Sequence, residues 1–88
     1  MPVIDLSPQA VAEALQAGEI LLVDVREPYE FDAERIKGSI SLPLSAIDPA
    51  AVPQAEGKTV VLSCAGGVRS ARAAEYLQAT GLDVKHHL

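Results

Sequence analysis

One cysteine, followed by two glycines and an arginine, gives this sequence its clearest capacity for chemistry. Residues 60–70 read VVLSCAGGVRS, so an apolar run leads directly into Cys64, and a helix is predicted to begin a few residues later. Gly66 and Gly67 allow the backbone to curl and to turn successive N–H groups toward one centre. The start of the helix adds unpaired N–H groups and a partial positive charge. The segment therefore predicts a loop that stabilises an anion beside Cys64.

The anion in this loop is predicted to be the thiolate of Cys64. Helix N-termini and nearby cations lower the pKa of a thiol from about 8.5 to roughly 3.5–7.5, and the thiolate is the nucleophilic form. Arg69 keeps its proton and could hold an anionic substrate at the mouth of the loop, although a purely structural arginine at a helix start is an equal alternative. Cys64 could also be a small buried apolar residue beside a tight turn. The coincidence of thiol, glycines, arginine and helix start favours the nucleophile.

The elements around this loop alternate between strand and helix. Strands are predicted at residues 20–25, 39–42, 59–63 and 82–87, of which the first and third are continuous apolar runs that suit burial on both faces. Helices are predicted between Ser7 and Gly18, over 28–33 and over 68–79, with a loop or broken helical turn at 46–54. This order predicts one α/β domain over residues 1–88 with a mainly parallel central sheet and flanking helices. Cys64 then lies at the carboxyl edge of a strand, where such folds bind ligands.

Composition and charge argue against several classes of protein. The 88 residues are 49% hydrophobic, which is enough for one core. The formal net charge of -5, from 12 acidic and 7 basic residues, disfavours nucleic acid and acidic membrane surfaces as partners. The longest apolar run is too short to span a bilayer, and the N-terminus lacks the features of a signal peptide. One cysteine cannot form an internal disulfide, and a free thiol is most easily kept reduced in the cytoplasm, so a cytoplasmic protein is expected.

Three ordered segments resemble the rhodanese family. Residues 64–69, CAGGVR, resemble that family's six-residue active-site loop, which starts with the cysteine that forms a persulfide. Residues 22–31, LVDVREPYEF, resemble its first sheet strand and the acidic segment after it, and residues 36–44, IKGSISLPL, resemble its Gly-to-Pro block. The resemblance extends from about residue 6 to residue 84.

The resemblance implies a sulfurtransferase that needs neither metal nor cofactor beyond a persulfide on Cys64. Its sulfur donor would be a small molecule such as thiosulfate, its acceptor cyanide or a thiol, and either could be a protein. The resemblance implies that five residues after the cysteine bind the substrate through their N–H groups: Ala65, Gly66, Gly67, Val68 and Arg69.

Charged and polar residues near the loop are predicted to support it. Asp24 and Arg26 end the first buried strand and are expected to form a structural ion pair rather than to catalyse, and Ser70 is assigned to structural support with them. His86 and His87 are adjacent, so on a strand they face opposite sides and cannot easily bind one metal ion. We expect both histidines to be ordinary surface or terminal residues.

The sequence departs from the family at three places, and two other functions stay open. Arg35 stands where many members have His, and Ser41 where many have Asn. The family's Gly-Gly segment and last, Trp-containing helix are missing after Leu88, which leaves open a naturally short protein, a truncated record or a covering second chain. A rhodanese-like binding or regulatory module is one alternative function. A cysteine-dependent phosphatase or arsenate reductase is less favoured, because phosphatase loops have five residues between Cys and Arg whereas Cys64 and Arg69 enclose four.

Overall fold

The architecture is a five-stranded parallel sheet with helices on both faces. The computed structural model describes residues 4–52, 57–82, 84, 86 and 87. The strands are β1 Ile4–Asp5, β2 Ile20–Asp24, β3 Ile40–Ser41, β4 Thr59–Ser63 and β5 His86–His87. Their order across the sheet is β1-β5-β4-β2-β3, and every neighbouring pair is parallel. The predicted α/β fold with a mainly parallel sheet is confirmed.

Within the described residues, three α-helices connect these strands. They are α1 Pro8–Gln16, α2 Pro28–Ala33 and α3 Val68–Ala79, with short 3-10 helices at Leu44–Ala46 and Pro49–Ala51 in the segment predicted as a loop or broken helical turn. The first helix begins where the Ser-Pro pair predicts, because the Ser7 hydroxyl accepts a hydrogen bond from the Ala10 N–H at 3.1 Å. In the part of the chain that the structure describes, no helix is long and apolar enough to cross a membrane.

The central strands β2 and β4 bury side chains on both faces, which is why their sequences are uninterrupted apolar runs. Val23 and Leu62 point to the face covered by α3, whereas Leu22 and Val61 belong to a separate cluster with Val11 of α1. Fully burying one such side chain contributes about 1.5–3 kcal/mol. This burial on both faces fixes the positions of β2 and β4, and therefore also the sheet edge at which both strands end.

The ends of the chain pair with each other in a way that the sequence did not predict. Strand β1 lies parallel to β5, and the Leu6 N–H donates to the His87 carbonyl at 2.8 Å. A two-residue strand is too short to show a hydrophobic period, so β1 has no sequence signal. The strand predicted over residues 82–87 is found at His86–His87, and Asp83 and Lys85 lie outside the described residues.

Candidate active site

Strands β2 and β4 bring their carboxyl ends together at one edge of the sheet. They pair in register over their full length, with Asp24 opposite Ser63, and the Val25 N–H donates to the Ser63 carbonyl at 2.9 Å. Cys64 follows Ser63 directly. The thiol consequently lies beside Asp24, at the edge where open parallel sheets bind ligands.

The loop after β4 turns two backbone N–H groups onto the sulfur of Cys64. Gly67 donates to Sγ at 3.0 Å and Ser70 at 3.3 Å. Gly67 has φ of +85°, a left-handed conformation that costs other L-residues about 1–2 kcal/mol. Gly66 does not have a positive φ, and a Cβ added there would meet nothing within 4 Å. Of the two glycines, Gly67 is therefore the one that the loop geometry requires.

These contacts favour the ionised form of Cys64. Burial raises the pKa of the thiol, but hydrogen bonds from the Ser70 hydroxyl and from the N–H groups of Ser70, Gly66 and Gly67 outweigh burial, and the net pKa is lowered. Cys64 is only partly buried, which a reactive cysteine requires. Cys64 thus has the environment of a reactive cysteine rather than of an inert core residue.

Two cavities meet at Cys64. The larger, of about 1140 Å³, is an open cavity bordered by the loop 64–68, β1, α3 and His87. The smaller, of about 230 Å³, is lined on the other side of the loop by Asp24, Arg26 and Arg35 among others. A small sulfur compound has room to approach the thiol from either side.

Arg69 is held by a partner that the sequence did not predict. Its guanidinium donates to the two carboxylate oxygens of Glu30, at 2.6 and 3.0 Å. The Arg69 hydrogen bonds lower the pKa of Glu30 from 4.5 to about 2, and Glu30 in turn raises the pKa of Arg69. The pair leaves three of the five guanidinium N–H donors for other acceptors but neutralises much of the local charge. The N–H groups of the loop, more than this arginine, stabilise the thiolate.

The Glu30–Arg69 pair gives a stability contribution that depends on pH. Because folding lowers the pKa of Glu30 from 4.5 to about 2, the pair stabilises the fold above about pH 4.5, and this contribution is lost as pH falls toward about 2. Glu30→Gln should lower the free energy of unfolding in urea at pH 7 and should lower it less at pH 3. Glu19→Gln, the same change at an exposed glutamate, serves as the control. If Glu30→Gln lowered the free energy of unfolding equally at both pH values, the Glu30–Arg69 ion pair would not be the source of this stability.

Asp24 and Arg26 form an ion pair beside the smaller cavity. Arg26 donates from Nε and Nη2 to the Asp24 carboxylate at 2.8–3.0 Å, and its backbone N–H donates to the same carboxylate at 2.9 Å. Nη2 also donates to the Glu34 carbonyl at 2.5 Å. Asp24 is only 4% exposed. The pair fastens the segment after β2 next to the cysteine loop. The ion pair itself was expected from the sequence, and its assignment to structural support rather than catalysis stays a prediction.

His87 does not lie at the surface, contrary to the sequence prediction. It is 8% exposed, and its Nδ1 is 3.0 Å from the Ser70 hydroxyl, which is itself 3.5 Å from Cys64 Sγ. The prediction was wrong because β5 is an inner strand, between β1 and β4, rather than a frayed terminus. Ser70 thereby connects the cysteine loop to the sheet. Among the described residues, no group of three or more His, Cys, Asp or Glu side chains could hold a metal ion.

Comparisons with known proteins find a matching family model and several relatives of this sequence. Residues 7–87 match the rhodanese-like domain. An uncharacterized protein of Synechocystis, slr1261, is 42% identical over 97% of this chain and 48% of its own length. The "Probable adenylyltransferase/sulfurtransferase MoeZ" of Mycobacterium tuberculosis is 35% identical over 94% of this chain and 22% of its own length. A tRNA uridine(34) hydroxylase of Deinococcus radiodurans is 32% identical over 94% of this chain and 30% of its own length. The chain thus spans about half or less of these relatives.

A solved structure of similar size supports the same relationship. The human single-domain sulfurtransferase TSTD1 superposes with a TM-score of 0.75 and 25% identity, covering 99% of this chain and 88% of the human one. Three observations indicate the same family: the parallel sheet, the Gly67 N–H that donates to Cys64 Sγ, and the match over residues 7–87. This chain belongs to the rhodanese-like domain family, whose members include enzymes of the sulfurtransferase type.

Proposed function

We propose that this protein transfers a sulfane sulfur from a donor such as thiosulfate to a nucleophilic acceptor through a persulfide on Cys64. The observation that carries the proposal is the pair of N–H groups, of Gly67 and Ser70, within 3.3 Å of Cys64 Sγ at the meeting point of two cavities. They favour a thiolate in a position that a small donor can reach. The related proteins named as sulfurtransferases support the same assignment.

The proposed reaction has two displacement steps. In the first, the Cys64 thiolate attacks the outer sulfur of thiosulfate; the new Sγ–S bond forms as the donor S–S bond breaks, and the electron pair leaves with sulfite. In the second, cyanide or a thiolate attacks the outer sulfur of the persulfide, the Sγ–S bond breaks, and the thiolate of Cys64 is restored. Donor and acceptor supply every atom and electron, so the cycle uses no metal or cofactor besides the persulfide itself.

The loop supplies the electrostatic part of this reaction. In the persulfide the negative charge lies on the outer sulfur, about one bond farther into the cavity than Sγ. We assign the N–H groups of the residues after Cys64, which include the first N–H groups of α3, to receiving that charge. These residues are Ala65, Gly66, Gly67, Val68 and Arg69. Arg69 has N–H donors beyond those bonded to Glu30, so we assign it to binding an anionic donor.

The donor and acceptor are proposed at the level of their chemistry. A donor must offer an electrophilic sulfur with a good leaving group, as thiosulfate, a thiol persulfide or a persulfide on another protein does. An acceptor must be a soft nucleophile, such as cyanide or a thiol, on a small molecule or on a protein. Because the cycle needs a reduced Cys64, we place it in the cytoplasm.

Intact-mass spectrometry after incubation with thiosulfate tests the proposal. The protein should gain the mass of one sulfur atom, and cyanide added to half of the sample should remove it. Failure to gain sulfur from thiosulfate and from a small thiol persulfide, in a protein whose Cys64 still reacts with iodoacetamide, would contradict the enzyme and favour a rhodanese-like binding module. Release of phosphate from p-nitrophenyl phosphate would instead favour the phosphatase.

A further inference from the structure

The Ser70 hydroxyl lies between two groups that can exchange a proton. Its Oγ is 3.5 Å from Cys64 Sγ and 3.0 Å from Nδ1 of His87. Ser70 is fully buried and His87 nearly so. The three side chains form a continuous hydrogen-bonded chain that leads from the thiol, through the fully buried Ser70 hydroxyl, to an imidazole on β5.

The imidazole of His87 has acidic and basic groups around it on the other side. The Asp5 carboxylate on β1 lies 3.9 Å from Nε2, and Asp5 is exposed. Arg72 and Glu75 of α3 line the same large cavity as His87. The ring therefore has the buried hydroxyl at hydrogen-bond distance from Nδ1 and a carboxylate near Nε2, beyond hydrogen-bond distance. Such a ring can take a proton from the interior and stay close to a compensating charge.

We propose that His87 accepts the proton of the Cys64 thiol by way of Ser70. Before transfer, Sγ–H donates to Ser70 Oγ, whose hydroxyl donates to Nδ1. During transfer the S–H bond breaks and its proton bonds to Oγ, while the original hydroxyl proton leaves Oγ and bonds to Nδ1. A thiolate and an imidazolium result, with no change in net charge and no oxidation.

After the proton transfer, the hydrogen bonds around Ser70 stabilise the Cys64 thiolate more than the hydrogen bonds before the transfer stabilise the thiol. Ser70 Oγ is also 3.2 Å from the Gly67 carbonyl. If Cys64 ionised while Nδ1 stayed unprotonated, the thiolate, Nδ1 and this carbonyl would compete for one hydroxyl proton. Once Nδ1 carries a proton it donates to Oγ, and the hydroxyl proton is then left to the Gly67 carbonyl and the sulfur, of which the thiolate is the charged acceptor. Hydrogen bonds to an ionised partner are roughly twice as strong as neutral ones. His87 contacts Ser70 rather than the sulfur, so it is a positioning residue for the nucleophile.

Breaking the chain at either position should make Cys64 harder to ionise. His87→Leu replaces the imidazole with an apolar side chain of similar size. Ser70→Ala removes the hydroxyl that lies between the imidazole and the Cys64 thiol. Each change should raise the pKa of Cys64 by about one unit. At a pH below that pKa, the fraction of Cys64 present as thiolate should then be about tenfold lower. The pKa is measured from the pH dependence of the rate at which iodoacetamide alkylates Cys64.

The double variant separates proton transfer from packing. If His87 acts through Ser70, adding His87→Leu to Ser70→Ala should shift the pKa of Cys64 no further, whereas independent effects would add. His86→Leu, the same substitution one residue earlier, should leave the pKa unchanged, and circular dichroism checks the fold of each variant. An unchanged pKa in either single variant, or full additivity in the double variant, overturns the proposal.

This test does not depend on the proposed sulfur transfer, because it measures only the pKa of Cys64. The role of the thiolate in catalysis does rest on the proposed function. Alkylation needs no sulfur donor, so a protein that showed the expected pKa shifts yet formed no persulfide would refute the sulfurtransferase alone. A protein that formed the persulfide with unshifted variants would refute the role of His87 alone.

Discussion

Replacing Cys64 with serine should abolish sulfur transfer and leave the fold intact. The hydroxyl of serine stays protonated where the thiol ionises, and its oxygen does not form a persulfide, so neither displacement step can occur. Loss of a catalytic nucleophile lowers turnover by about a thousandfold or more in enzymes of this kind of mechanism. The fold should survive, because the N–H groups of Gly67 and Ser70 that now point at Sγ can donate to the serine oxygen instead.

The measurement is thiocyanate formation from thiosulfate and cyanide, with urea unfolding in parallel. Cys64→Ser should form no thiocyanate above the uncatalysed rate and should unfold within about 1 kcal/mol of the unmodified protein. Wild-type protein alkylated at Cys64 is the matched control, since it keeps the sequence and loses only the free thiol. Transfer by the serine variant at the wild-type rate would refute the persulfide mechanism.

The position of Cys64 at the carboxyl edge of the sheet could be predicted from the sequence because local patterns determine it. The apolar runs of β2 and β4 leave both faces buried, which favours a parallel sheet, and such a sheet places the residue after β4 at its carboxyl edge. Gly-Gly between that strand and a helix predicts a turn whose N–H groups converge. Each step uses neighbours within about ten residues, where periodicity and turn preferences are informative.

The partners of the site could not be predicted because they depend on how distant elements pack. Glu30 reaches Arg69 across 39 residues, and only the placement of α2 against the start of α3 makes them neighbours. Strand alternation predicts that one of two adjacent histidines faces each side of the sheet. Which one faces Ser70 follows from the register of Leu62 with His87, and a two-residue strand carries no signal for its register.

Removing Arg26 should destabilise the protein far more than neutralising its partner, Asp24. Asp24 is 4% exposed, whereas the Arg26 side chain is 19% exposed. Arg26→Met leaves a nearly buried carboxylate without its counter-ion, which costs about 3–5 kcal/mol in comparable pairs. That is a large part of the roughly 5–15 kcal/mol that stabilises a typical domain. The variant should therefore have a markedly lower free energy of unfolding at room temperature.

Asp24→Asn should cost only about 1 kcal/mol, the value of one hydrogen bond. The asparagine keeps an oxygen for the Arg26 N–H, now bonded at 2.9 Å, and the more exposed guanidinium can regain water and retain its bond to the Glu34 carbonyl. Urea unfolding at pH 7 of both variants and of the double variant checks this order. Because the carboxylate left behind is what makes Arg26→Met costly, the double variant should be more stable than Arg26→Met alone. If Asp24→Asn lowered the free energy of unfolding more than Arg26→Met did, the predicted order would be wrong. The ion pair would then serve chiefly to hold Arg26 toward the cavity beside Cys64.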